Sequence, residues 1–221
     1  MFNWLKKGKP AGRVTVRDMC FGDLPIEEWA KEENAHQEPW SSFVQARRSL
    51  EARETAAAIK TLRQITEMPG LESRHYVQAW HFLRGLGVNP PAEQAKAVHG
   101  VVVEVGMENG ADIVAAYGDG SARYLNFSGA GVFWERADDS LDAEIEALLA
   151  AGREVAKMIG PWDKERPEAP SNGKVRLNML TPSGLHFGYG DFATLAKDPM
   201  GAALINPATR LMVKLTELRQ Q

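Results

Sequence analysis

Two dipeptides, Asn109-Gly110 and Asp119-Gly120, constrain this chain more than any other feature. Both are residue pairs that favour two-residue hairpin loops, because they tolerate the left-handed backbone such loops need. They predict strands at about 98–106, 111–117 and 122–127, with a fourth at 131–135 joined through Ser128-Gly129-Ala130-Gly131. Read as two-residue loops, they set Val105 opposite Val114, Val103 opposite Ala116, Ala116 opposite Arg123 and Val114 opposite Leu125. Residues directly opposite share a face of the sheet. One face is then Val101, Val103, Val105, Val114, Ala116, Leu125 and Phe127, interrupted by Arg123, with Val132 and Trp134 joining it. The other holds Val102, Glu104, Ile113, Ala115, Tyr117, Tyr124 and Asn126, joined by Phe133 and Glu135. A slip of one residue would exchange the two faces.

The rest of the chain reads as helices around these strands. Helical stretches are expected from Asp23-Leu24-Pro25 through Trp29, from Trp40 to Leu50, from Glu54 to Glu67 and from Glu72 to Leu86, with a short one ending at Ala97. A long helix at 140–159, ended by Gly160-Pro161, is the expected cover for the apolar face. A second hairpin runs 174–180 and 185–189 about Thr181-Pro182-Ser183-Gly184. Asp191 begins a short helix, and Asp198-Pro199 and Asn206-Pro207 both read as helix starts with proline in the first turn. Val14 and Val16 suggest one short strand within 13–20. His75 and His81, six residues apart on one helix, are expected at its surface.

The fold class is therefore α+β: N-terminal helical hairpins, an antiparallel β-meander with a long packing helix, a second hairpin and C-terminal helices. The expected division is a basic segment at 1–20, a helical region at 21–97 and an α+β domain at 98–221. The short step from Val88 to Ala92 predicts that the last two pack as one unit.

Several chemistries are excluded by what the sequence lacks. One cysteine, Cys20, cannot form an intrachain disulfide, which points to a reducing compartment and the cytoplasm. No apolar run approaches the length needed to span a bilayer. A net charge of −3 argues against nucleic acid as a partner. No Cys-x-x-Cys occurs and no two histidines stand three or four apart, so no metal is expected. Walker-type phosphate loops and Gly-x-Ser-x-Gly elbows are missing too, and no cofactor is expected. Residues 1–17 carry Lys6, Lys7, Lys9, Arg13 and Arg17 beside Phe2 and Trp4 with no acid, a candidate contact for an anionic membrane surface or acidic partner.

Trp40, Ala46, Ala57 and Tyr76 sit among paired amphipathic helices, and residues 40–86 resemble a tetratricopeptide-type helical hairpin. The Leu-Gly pair and terminal proline of that repeat are not at its spacing, and no 34-residue recurrence follows. The order of elements in the second half is loosely similar to small sensor or adaptor domains of the profilin-like kind, a likeness of fold class only.

These features point to a soluble, bacterial-type interaction or adaptor module whose partner is another protein, rather than to an enzyme. The contact surface is the tyrosine-bearing face, with Glu104, Tyr117, Tyr124, Asn126 and His186 as candidate binding residues. The alternative is a small-molecule sensor or enzyme with a pocket between the helical and α+β halves, lined by Glu104, Tyr124, Asn126 and His186.

Overall fold

The structure, a computed structural model, describes residues 14–218. Most of the basic N-terminal segment, and with it the expected membrane contact, lies outside the described residues. The chain is α+β with one antiparallel sheet, and it divides after Pro91 into two compact units. No helix among the described residues is long and apolar enough to cross a membrane.

The first unit is helical: α1 (Ile26–Trp29), α2 (Trp40–Glu51), α3 (Thr55–Glu67) and α4 (Ser73–Gly85). Helical spacing gathers Phe43, Leu62, Ile65, Phe82 and Leu83 into its core. His75 is not at the surface as its spacing suggested. It is only 4% exposed, with Trp40 at 5.1 Å and Trp29 at 5.8 Å between ring centroids. These rings and Phe43, at 6.3 Å, close over that side of α4, which widens its buried stripe beyond the aliphatic positions.

The short strand expected within 13–20 is absent. The Thr15 amide and hydroxyl both donate to Asp18 Oδ2, at 3.0 and 2.6 Å, and the chain turns into a single 3-10 turn at Asp18–Cys20. Local side-chain bonds of this kind compete with extended structure and win where no neighbouring strand offers a ladder. Beyond α4, residues 92–96 form turns rather than the expected short helix.

The second unit holds a six-stranded sheet in the order β4-β3-β2-β1-β5-β6. Its strands are β1 (Gly100–Met107), β2 (Gly110–Tyr117), β3 (Ala122–Leu125), β4 (Gly131–Trp134), β5 (Lys174–Thr181) and β6 (Gly184–Asp191). Two long helices, α5 (Asp142–Met158) and α7 (Pro199–Leu218), complete the unit, and the single turn α6 (Phe192–Leu195) leads from β6 into α7. Leu148, Leu149, Leu204 and Leu211 from the long helices form one core with Val101, Val103, Val114, Leu177 and Met179 from the sheet.

The first hairpin reverses on Glu108-Asn109, since Met107 pairs with Gly110. Val103 thus opposes Val114 instead of Ala116, a shift of two that leaves every side chain on its expected face. The second hairpin corrects the sequence reading. Its reversal has three residues, Gly118-Asp119-Gly120, with Gly120 at φ 84° and Tyr117 N–H bonded to Ser121 O. Ala116 therefore pairs with Ala122 and Val114 with Tyr124. An odd change in register turns the strand over. Arg123 and Leu125 leave the helix-covered face, and Tyr124 enters it. Phe127, expected in the core, stands 48% exposed beyond β3.

The second proline-led helix start is also overturned: α7 continues through Pro207. Asp198 Oδ1 caps its first turn, accepting from the Met200 and Gly201 amides at 3.0 and 2.9 Å. Leu204, Ile205, Ala208, Leu211 and Leu215 on either side of Pro207 are all buried. Their packing outweighs the one hydrogen bond a proline removes.

One close approach fixes the path of the loop before β5. A Cβ on Gly106 would lie 1.9 Å from Ser171 O, a backbone atom that cannot swing aside. Gly106→Ala is expected to cost about 3 kcal/mol or more, read as a lowered urea midpoint with the fold otherwise retained.

Candidate functional site

The face of the sheet away from α5 and α7 carries an ionic layer with an aromatic rim. Strand alternation places Glu104 of β1 beside Arg176 of β5, and Asn178 beside Val102. Glu104 is completely buried, and its Oε2 lies 3.5 Å from Arg176 Nη1 and 3.3 Å from Asn178 Nδ2. Asn178 Nδ2 also donates to Val102 O at 2.8 Å. The same guanidinium donates to Glu168 O at 2.5 Å, which ties the loop after α5 to this face. Phe187 and Tyr189 of β6 lie over it, with centroids at 5.4 and 5.1 Å. Three strands away Arg123 sits under Phe133 at 5.3 Å and by Tyr117 at 5.8 Å. Ring faces and carboxylates stand where these buried guanidinium groups would otherwise meet water. Phe133 and Tyr189, at opposite flanks of the sheet, remain 51% and 48% exposed.

The β6 edge adjoins this layer. Pro182-Ser183 makes a two-residue loop, so Gly184, His186, Gly188 and Gly190 bond inward to β5. Residues 185, 187 and 189 direct their main-chain groups outward. Leu185 O accepts from Trp162 N–H at 2.7 Å, which closes one end. Among the described residues no hydrogen bond reaches the outward amides and carbonyls of Phe187 and Tyr189.

A second polar cluster lies on the other side of the same hairpin. His186, fully buried, has Nδ1 at 3.2 Å from Ile159 O and Nε2 at 3.0 Å from Ser183 Oγ. A carbonyl only accepts, which assigns the proton to Nδ1 and makes Nε2 the acceptor of the Ser183 hydroxyl. Lys96 Nζ donates to Ile159 O and Lys157 O, each at 2.9 Å. Burial holds the His186 pKa below the usual imidazole range, and the Lys96 charge pushes the same way. A hydroxyl hydrogen-bonded to a neutral imidazole resembles an activated nucleophile. However, the Ser183 amide, the nearest candidate oxyanion donor, is engaged by Ala95 O at 3.0 Å. The cluster therefore reads as the lock of the hairpin. No group of three or more His, Cys, Asp or Glu among the described residues is placed to hold a metal ion.

The five residues named from sequence do not converge. Glu104 and Tyr117 are on the ionic face, both fully buried. Tyr124 is on the helix-covered face, its hydroxyl donating to Asp112 Oδ2 at 3.2 Å. Asn126 holds the turn after β3, its Oδ1 accepting from the Ser128 and Ala130 amides at 3.1 and 2.9 Å. His186 is in the hairpin lock. Arg176, Phe187 and Tyr189 were not among those residues. A signal for them exists: in Phe187-Gly188-Tyr189-Gly190 the aromatic residues alternate with glycine, so one face of β6 is ringed and the other bare. No family, curated protein or solved structure matches this chain.

Two outcomes are expected. Glu104→Ala strands a buried guanidinium and should cost about 3–5 kcal/mol in urea unfolding, with Glu104→Gln losing less. His186 and His99, whose pKa burial also lowers, bind protons more weakly folded than unfolded. Their contribution to stability is then complete above about pH 6.5 and declines as the pH falls below it. The loss of urea midpoint between about pH 7 and 5.5 should be smaller in His186→Gln than in the parent chain.

Proposed function

We propose that this chain is a protein-interaction module that takes an extended segment along the outer edge of β6. The observation that supports this reading is the pair of outward main-chain sites at Phe187 and Tyr189, unengaged beside an exposed tyrosine ring. An added strand gains affinity from main-chain bonds and specificity from its alternate side chains. Here those side chains would meet the aromatic rings that lie over Arg176. Edge strands are usually blunted by lysine, proline or a covering loop. At the centre of β6 there is none of the first two, and Trp162 covers only Leu185. The single thiol, Cys20, is buried, and a reducing cytoplasm is the proposed setting.

The Tyr189 amide points away from β5, so proline there removes an outward donor without cutting the internal ladder. Peptides selected from a random display library on the immobilised chain should lose binding to Tyr189→Pro and keep part of it on Tyr189→Thr. Selected peptides indifferent to the proline would refute the reading.

A further inference from the structure

Gly188 faces an open gap at the margin of the core. It shares its side of β6 with His186 and Gly190, and the helix layer reaches both of these. Ile159 O, just past α5, holds the His186 ring at 3.2 Å, and Leu195 Cδ1 of α6 is 3.3 Å from where a Gly190 Cβ would stand. Over Gly188, between these two points, no heavy atom lies within 4 Å of the Cβ position, and its φ is not positive. Ile159 and Leu195 are half-buried residues packed against the core of the second unit. The gap is thus apolar at both ends, floored by bare backbone, and set off the face of the sheet rather than along its rim.

A strand added at the rim presents its side chains alternately to the two faces of the sheet. With main-chain bonds at Phe187 and Tyr189, the residue between them comes beside Gly188 and turns its side chain toward the gap. A large ring placed across from a strand glycine leans over it and shields its backbone. The residue beside Phe187 turns to the other face. There Trp162 stands 5.2 Å from the Phe187 ring, and Lys164 Nζ is 5.4 Å from the Trp162 ring. Lys164 makes no ion pair among the described residues, so this ammonium group is left for a carboxylate to complement.

We propose that the occupant of the edge is a segment of a partner protein with an aromatic residue beside Gly188 and an acidic residue next to it in sequence, beside Phe187. This inference rests on the edge reading above and names the chemistry of the partner. Gly188 and Lys164 are then the positions that set specificity, while the main-chain groups of Phe187 and Tyr189 hold any strand.

The test selects peptides on the immobilised full chain as above and measures the affinity of those recovered by fluorescence anisotropy. Recovered peptides should share an aromatic residue with an aspartate or glutamate beside it. Replacing that aromatic residue by alanine should weaken binding about tenfold or more on the unmodified chain, and much less on Gly188→Val, whose side chain fills the gap. Gly188→Val should melt at or above the parent chain, because a β-branched residue suits an open strand position; should it melt lower, Gly188→Ala, which asks for less room, takes its place. Lys164→Glu should turn the preference for an acid into one for lysine or arginine. Peptides without a shared aromatic residue, an alanine penalty equal on both chains, or an acid preference untouched by Lys164→Glu would overturn the inference. If those peptides are still lost on Tyr189→Pro, the edge reading stands and only the named chemistry falls. If they are indifferent to that proline, both fall.

Discussion

The second unit depends on one seam, the contact of α5 and α7 with a single face of the sheet. Val101, Val103, Val114, Leu177 and Met179 meet Leu148, Leu204 and Leu211 there, all essentially without water. Each such side chain contributes about 1.5–3 kcal/mol when fully buried. Because strand side chains alternate with period two, sealing this face leaves the other residues of every strand no choice of side. Glu104, Arg176, Asn178 and Arg123 are on the opposite face because their neighbours in sequence are needed in the seam.

That displacement explains the chemistry of the ionic layer. A buried carboxylate alone would shed its charge, and a buried guanidinium cannot. The two are brought within 3.5 Å across neighbouring strands, and rings from β6 cover the cation. Aromatic rings over Arg176 and Arg123 thus have a structural duty before any binding role. Tyr189 and Phe133 do this at the flanks of the sheet, where each still shows about half of its surface. The alternation that puts rings on one side of β6 puts glycine on the other, and so leaves both a bare strip and an unpaired edge.

Much of the architecture was legible from sequence because its signals are local. Proline and glycine mark the helix ends, and apolar spacing marks α3, α4 and α5. The faces of β1 and β2 were also readable, since an error of two residues in the first turn restores the same parity. β3 was not, because Asp119-Gly120 takes in Gly118 and makes an odd reversal. The single residue gained moved Arg123 out of the core, where it had been an unexplained charge, and moved Tyr124 in. The five residues singled out as a site were scattered for a related reason. Two are buried in the ionic layer, and the other three each hold a turn, a hairpin or a strand edge.

The sequence by itself determined the kinds and order of most elements and the presence of one apolar face, because these follow from propensities and periodicities a few residues long. It did not decide the phase of β3, the burial of His75, the continuity of α7 through Pro207, or which strand would be left at the edge. Those outcomes rest on free energies that exist only between segments remote in sequence. Aromatic rings close around an imidazole, leucines hold a helix across a proline, and β5 joins β1 so that β6 is last in the sheet.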